Sequence, residues 1–335
     1  MSSQPLVTVL VPAREEEADI AGCIRAIGAQ DHPTDRIQLV VVDADSTDAT
    51  VPTVREVASE FGFAEVVIAQ NPARWASAGL NAGLQHARGD YLARVDARSR
   101  IPPGYVGRCL ERLAHHPEVG VVGGMQVAQA RTGGVVEAGI ARALRNRWTT
   151  GLSRYRRGST SGPSDTVWMG FFRTEELRAL QGWDASVVLN EDYELNRRYR
   201  LDGRVVWFDA CLRSAYLPRR TLTELARQHY RFGRAKGTSW ARGQRPAPRQ
   251  LLLVAAPLAS AIVLGSLATR FGPWSAVAVP ASLLALDRLQ EHEGDATPLV
   301  RLAASAATAT IGASWWSGVA AGAAGALTRV RHEHG

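Results

Sequence analysis

Asp96 closes the stretch Asp90-Tyr-Leu-Ala-Arg-Val-Asp-Ala-Arg98, just past a short apolar run, and Asp192 lies well downstream in Asn190-Glu-Asp-Tyr-Glu194. A carboxylate at a strand end can hold a divalent cation against the diphosphate of a nucleotide-bound donor. One in the first turn of a helix is kept ionised by the helix N-terminus and can take a proton from an acceptor hydroxyl. Divided in this way, the pair could move a sugar from an activated donor. The expectation is spatial: Asp43, Asp96 and Asp192 must gather around a single cleft.

Further segments carry candidate ligands. Pro12-Ala-Arg-Glu-Glu16 follows the first apolar run. A loop there can wrap a base and ribose with the backbone of Pro12, Ala13 and Arg14 and with the Glu16 carboxylate. The same acids also suit a helix N-terminus. In Asp43-Ala-Asp-Ser-Thr-Asp48, Asp43 or Asp45 can accept from a base N–H or a ribose hydroxyl, while Asp45, Ser46 or Thr47 can cap the next helix. Arg98 can meet phosphates with its planar fork, or pair with Asp96 at a surface where such a pair is worth little. Gln228 and Arg231, at i, i+3 on an amphipathic basic segment, can bind acceptor or phosphate. Their basic neighbours can meet anionic lipid; a purely interfacial helix is the alternative.

These residues need elements to position them. Apolar runs at 7–11, 37–42, 65–69 and 91–95 predict strands, and the periodic stretches 18–29, 51–61 and 75–87 between them predict helices. Such alternation implies an α/β fold with a parallel sheet covered on both faces. Ligands then bind beyond the carboxyl ends of the strands, where Pro12, Asp43 and Asp96 fall. Farther on, 119–124 and 205–208 predict strands, 158–165 a Ser/Gly-rich loop, 166–173 an apolar segment, and 175–180, 190–201 and 222–236 helices. His115-His116 is expected in a polar loop.

The chain of 335 residues is 46% hydrophobic and 21% charged, with a formal net charge of +7. That surplus suits anionic lipid or phosphorylated substrates. Nucleic acid is not expected as a partner, because no zinc-ligand spacing, RNA-recognition motif or basic heptad segment occurs. The three cysteines, Cys23, Cys109 and Cys211, read as buried reduced thiols. The N-terminus lacks a signal peptide's apolar core, so this part is expected in the cytoplasm. Three uncharged runs, 251–268, 271–286 and 302–327, read as membrane-associated helices; an Ala-rich soluble bundle is the alternative. The cluster Arg242, Arg245 and Arg249 places the preceding side in the cytoplasm. The expected division is a nucleotide-sugar-binding catalytic domain over 1–220, a basic interface helix over 221–249 and a membrane-associated region over 250–328.

Together the motifs resemble the family 2 glycosyltransferases, in the bacterial exopolysaccharide branch of succinoglycan-type glucosyltransferases. Pro12-Ala-Arg-Glu-Glu16 is similar to the family's opening Pro-Ala-Tyr/Arg-Asn-Glu. Asp43-Ala-Asp-Ser-Thr-Asp48 is similar to its Asp-Xaa-Xaa-Ser-Thr-Asp, and Ala78-Gly-Leu-Asn-Ala-Gly83, which contains Asn81, to the Leu-Asn-Xaa-Gly helix before the DxD strand. Asn190-Glu191-Asp192 is similar to the Glu-Asp pair whose Asp is the catalytic base, and Gln228 with Arg231 to a Gln-Xaa-Xaa-Arg of polymerising relatives, with Phe232 where Trp is usual. The resemblance implies a nucleotide-diphospho-sugar transferase fold of GT-A type with a mostly parallel central sheet, and inverting transfer from a nucleotide sugar, commonly UDP-linked. The acceptor it implies is a lipid-linked saccharide at the cytoplasmic membrane.

It further implies that Asp43 and Glu16 meet the nucleoside and that Asn81 lies on the donor side. Asp96 would meet Mg²⁺ or Mn²⁺ and the phosphates, and Trp168 and Gly170 would line the sugar pocket. Arg98 stands where the second Asp of DxD is usual, so it is expected to share the phosphate charge and weaken the metal dependence. Two rivals are weaker. A nucleotidyltransferase would need a glycine-rich, lysine-bearing loop after the first strand. A catalytically inactive scaffold has only the lost DxD carboxylate in its favour.

Overall fold

In a computed structural model of the chain, residues 4–146, 149, 154–187, 190–243 and 296–333 are described, the side chains of 157 and 327–333 excepted. The chain forms two units: Met1–Val127 with Ser153–Leu217, and Ala128–Leu152 with Pro218–Gly335.

The first unit is built on nine strands: β1 (Val7–Ala13), β2 (Ile37–Asp43), β3 (Glu65–Gln70), β4 (Tyr91–Arg94), β5 (Ser99–Arg100), β6 (Val119–Ala128), β7 (Gly162–Pro163), β8 (Trp168–Arg173) and β9 (Val205–Tyr216). Their order is β3-β2-β1-β4-β8-β6-β9-β5, with β7 paired to β9. The parallel sheet expected from the first four runs is there: β2–β3, β1–β2 and β1–β4 are all parallel. Beyond β4 the sheet turns antiparallel, at β4–β8 and β8–β6.

The helices of this unit are α1 (Ile20–Gly28), α2 (Thr50–Ala58), α3 (Ala76–His86) and α4 (Tyr105–His115). Strand β2 shows how they cover both faces. Its Ile37, Leu39 and Val41 pack with Ile20, Ile24 and Ile27 of α1, Val54 and Val57 of α2 and Val106 and Leu113 of α4. Its Val40 and Val42 pack on the other face with Leu80 and Leu84 of α3. The two-residue period of a strand thus feeds two cores at once. Because the chain swings from β3 past β1 to β4, a topological switch point falls between β1 and β4, where open α/β sheets place ligands.

Several expectations needed correction. Helix α4 was not foreseen, although Pro102-Pro103 precedes it and Tyr105, Val106, Cys109 and Leu113 recur at helical spacing and are buried. His115 is its last residue, not part of a loop. Strand β9 runs to Tyr216, well past the apolar core at 205–208. Cys23 and Cys109 are buried, but Cys211 is exposed; all three are free thiols. Burial pushes the Cys23 thiol up to about 12, so it stays protonated.

Among its described residues, the second unit contains α5 (Val135–Arg145) and two long helices. Residues 128–152 belong to this unit, whereas the sequence-based boundary fell only at 220. The runs 251–268 and 271–286 lie outside the described residues. The third run, 302–327, does form a helix, within Pro298–Glu333. Among the described residues, however, no helix is long and apolar enough to cross a membrane. Alanines, serines and threonines dominate this run and carry too little hydrophobicity.

Gly89, in the turn before β4, tests how tightly the sheet edge is built. A Cβ there would lie 2.4 Å from the Thr8 backbone nitrogen and 2.8 Å from the Leu6 carbonyl oxygen. Backbone cannot step aside as a side-chain tip can. Gly89→Ala is expected to lower stability by about 1–3 kcal/mol, read as an earlier urea midpoint at unchanged m-value.

Candidate active site

The carboxyl ends of β1, β2 and β4 carry most of the expected residues. Ala13 is in register with Asp43 and Leu10 with Arg94. Asp43 and Asp96 therefore flank β1 on either side, two strand spacings apart, about 10 Å. After two short helices, α6 (Arg154–Arg157) and α7 (Thr174–Ala179), comes α8 (Glu191–Leu201), whose first turn holds Glu191 and Asp192.

One residue that sequence reasoning missed joins these segments. Arg94, the last residue of β4, is buried. Its Nε donates to Asp96 Oδ1 at 3.0 Å, and its Nη1 donates to Glu191 Oε1 at 2.9 Å and to Asp192 Oδ1 at 2.5 Å. Burial alone would lower the Arg94 pKa. The attraction of Asp192, Asp96 and Glu191 outweighs it, and the guanidinium is held firmly protonated. An arginine inside an otherwise apolar strand was the available signal, since such a charge is almost never buried unpaired.

Asp192 does not keep the ordinary carboxylate pKa that the helix N-terminus promised. Burial pushes it up to about 7. Arg94 opposes the rise, Glu191 and Asp96 add to it, and the Trp183 indole opposes it more weakly. Desolvation outweighs the helix dipole here. The Asp192 side chain still keeps 22% of its surface exposed, so it can meet a substrate from the open side.

Asp96 is held from three directions. Besides Arg94, the Trp168 indole N–H donates to Oδ2 at 3.1 Å, and its own backbone N–H points at the Met169 sulfur at 3.4 Å. Trp168 thus lies against Asp96. At Gly170 a Cβ would lie 2.3 Å from the Phe172 ring, so its smallness serves packing within β8. Asn81 also serves the frame. Its side chain donates to the Trp183 carbonyl at 2.6 Å and accepts from the Trp183 N–H at 2.9 Å, clamping the turn that carries the indole.

The loops after β1 and β2 lock onto each other. Backbone N–H groups of Glu15, Glu16 and Glu17 donate to Ser46, Thr50 and Asp48, and those of Thr47 and Ala49 donate back to Glu15 and Glu17. Ser46, Asp45 and Thr47 do not cap α2 as expected; Asp48 takes the Thr50 N–H instead. Asp45 pairs with Arg74 at 3.0 Å. Asp43 is buried, and its Oδ2 accepts from Ser46 N–H, while its Oδ1 has no hydrogen-bond partner. A buried acceptor left open at a strand end is suited to a ligand N–H.

Arg98 is not free to greet phosphates with its whole fork. Its Nε lies 3.3 Å from Glu16 Oε1, and its guanidinium sits 5.5 Å above the Tyr216 ring. Only Nη1 is buried without a partner. Glu16 thus pairs with Arg98 through one of its carboxylate oxygens.

Backbone strain gathers at the same edge. Among the described residues, six non-glycines have left-handed φ: Glu15, Asp45, Arg74, Met169, Gln181 and Asn190. All but Gln181 follow β1, β2 or β3, or flank Asp96 and Glu191. Each such residue costs on the order of 1 kcal/mol, least for Asn and Asp.

Among the described residues, no group of three or more His, Cys, Asp or Glu is placed to hold a metal ion. Mg²⁺ does not need one. It is commonly held by one or two carboxylates, with substrate phosphates and waters filling the remaining positions. Asp96, alone at the end of β4, fits that limited role.

Gln228 and Arg231 lie on α9 (Leu222–Ala241), in the second unit, and do not share a lining. Arg231 lines a groove with Arg227 and Arg234, and Gln228 is absent from it.

A sequence model of the glycosyltransferase like family 2 matches residues 4–235. The chain belongs to that family. Its fold is accordingly a GT-A-like α/β nucleotide-sugar transferase fold, and it is a glycosyltransferase. Succinoglycan biosynthesis protein ExoA of Rhizobium meliloti (strain 1021) is 29% identical over 272 residues, 79% of this chain and 81% of that protein. This relative represents the exopolysaccharide branch that the motifs indicate. A dolichyl N-acetyl-alpha-D-glucosaminyl phosphate glucuronosyltransferase of Methanococcus voltae is 22% identical over 236 residues, 69% of this chain and 73% of its own length. Among solved structures, the mannosyltransferase PcManGT from Pyrobaculum calidifontis, in complex with GDP-Man and Mn²⁺, covers 97% of this chain and 88% of its own, with a TM-score of 0.56 at 20% identity.

Arg94→Gln would leave three carboxyl groups crowded together with no cation among them. It is expected to cost about 3–5 kcal/mol of stability. In the folded protein it should raise the Asp192 pKa further, as read by carboxyl ¹³C NMR titration.

Proposed function

We propose that the chain is an inverting glycosyltransferase that moves a hexose from a nucleotide diphosphate donor, UDP-linked, to a lipid-linked saccharide in exopolysaccharide or cell-envelope glycan synthesis. The observation that carries this reading is the Arg94 cluster. It holds Asp96 and Asp192 side by side at the switch point of the sheet.

The chemistry is a single displacement. Asp192 takes the proton of the acceptor hydroxyl as that oxygen attacks the anomeric carbon. The bond from this carbon to the diphosphate oxygen breaks on the opposite face, and the electron pair leaves with the nucleoside diphosphate. A base with a pKa near 7 is well matched to this step at neutral pH. Glu191 adjusts that pKa, and Arg94 orients the carboxylate. The open Oδ1 of Asp43 is suited to the imide N–H of uracil, which supports a UDP donor. The unpartnered Arg98 Nη1 can meet a phosphate oxygen. A Mg²⁺ or Mn²⁺ ion held by Asp96 would supply positive charge to the departing diphosphate.

The acceptor and location rest on the relatives. One is named for succinoglycan biosynthesis, and another for transfer to a dolichyl-linked sugar phosphate. They support a lipid-linked acceptor; the place of action in this proposal is the cytoplasmic membrane, with the catalytic unit facing the cytoplasm.

Asp192→Asn is expected to lower kcat by about a hundred- to ten-thousand-fold while leaving nucleotide affinity nearly unchanged. Nucleotide diphosphate release from a screen of sugar nucleotides, on membranes containing the protein, measures both the donor choice and this loss. A variant retaining near-normal turnover would remove Asp192 as the base.

The base must be ionised to act, so kcat/KM is expected to fall as pH drops through about 7. Removing the neighbouring like charge with Glu191→Gln lowers the Asp192 pKa. The acid limb of the pH profile should therefore move to lower pH in that variant. An unmoved limb would detach it from Asp192.

A further inference from the structure

The second unit carries a cluster of charge that the cleft does not use. On α9, Arg227, Arg231 and Arg234 recur at i, i+4 and i+7, and all three are exposed. With Ala226 and Tyr230 they line one side of a groove of about 560 Å³. The other side is Ala313, Ser314 and Ser317 of α10 (Pro298–Glu333). Among the described residues, no ion pair or hydrogen bond engages any of the three guanidinium groups. Like charges one turn apart destabilise a helix by about 0.2–0.5 kcal/mol per pair, and no carboxylate of the described residues offsets this.

The groove has a firm frame. Gly233 and Gly237 of α9 face the carbonyls of Trp315 and Val319, and Gly318 and Gly322 of α10 face those of Tyr230 and Arg234. A Cβ at any of these four positions would lie 1.9–2.2 Å from the opposing oxygen. The two helices therefore meet backbone to backbone, as small-xxx-small pairs allow. Beside that seam, Ala313, Ser314 and Ser317 are too small to fill the space in front of the arginines.

We propose that this groove is a binding site for the phosphate group of a lipid head group. Three guanidinium forks around one hollow are suited to phosphate oxygens, which accept paired N–H bonds from arginine. The Ser314 hydroxyl can supply a further donor from the facing helix, whereas the Ser317 hydroxyl donates to the Ala313 carbonyl at 2.8 Å. Tyr230 and Phe232 are exposed large side chains on the same helix. Aromatic residues beside a basic cluster suit the head-group layer of a membrane, whereas a free phosphate would make no use of them. The proposal stands on the second unit alone and does not require the cleft to be read correctly.

The test uses the full chain and two vesicle preparations, phosphatidylcholine alone and phosphatidylcholine with phosphatidic acid. Binding is expected to favour the vesicles with phosphatidic acid. It should fall about a hundredfold in R227Q/R231Q/R234Q and about fivefold in R231Q alone, which serves if the triple variant does not fold. The control R36Q/R55Q/R200Q removes the same charge from exposed positions of the first unit and is expected to change binding little. Equal losses in the two triple variants would overturn the site in favour of diffuse attraction. So would unchanged vesicle binding in R227Q/R231Q/R234Q or, where that variant does not fold, in R231Q. Arginine-dependent binding of inorganic pyrophosphate in solution, with no preference for phosphatidic acid vesicles, would overturn the lipid source.

Discussion

The first unit depends on a buried cation. Arg94 ends β4 and reaches Asp96 on its own loop and Glu191 and Asp192 at the start of α8. Taking a guanidinium out of water costs several kcal/mol unless partners surround it. Here the partners are the carboxylates to which the proposed chemistry gives its roles. The ion that makes their crowding tolerable therefore also sets their geometry. Two distant segments become one site because the charge of each is costly without the other.

The edge around this cation is stiff. The loops after β1 and β2 exchange hydrogen bonds in both directions, and left-handed residues sit where those loops turn back. Such conformations persist only where surrounding structure over-determines them. Asn81 shows the same economy: placed on α3, it fixes the turn that brings the Trp183 indole toward Asp192. Preorganisation of this kind lets a site stabilise developing charge without reorganising at the moment of reaction.

The second unit follows a different packing rule. Its two long helices touch through four glycines, with backbone against backbone. Close approach of this type relies on van der Waals contact more than on burial of large apolar side chains. It explains how a helix rich in alanine and serine can pack firmly while carrying too little hydrophobicity to qualify as a membrane span.

Much of the first unit was legible in the chain because its signals are local. Strands β1 to β4 and helices α1 to α3 follow from apolar runs and helical periods, the positions of Asp43 and Asp96 follow from the ends of β2 and β4, and that of Asp192 from the start of α8. Helix α4 was legible too, in the period after Pro102-Pro103, and was missed. What residues face across the cleft was not legible. Only the tertiary structure decided that Arg94 would bridge three carboxylates, that Glu16 would pair with Arg98, that Gly170 would lie against Phe172 and that Asn81 would bond the Trp183 backbone. It also decided that Asp192 would titrate near neutrality, because burial outweighs the helix N-terminus. Periodicity records which side of an element meets the core. Desolvation and ion pairing depend on distances between segments that the order of residues does not contain.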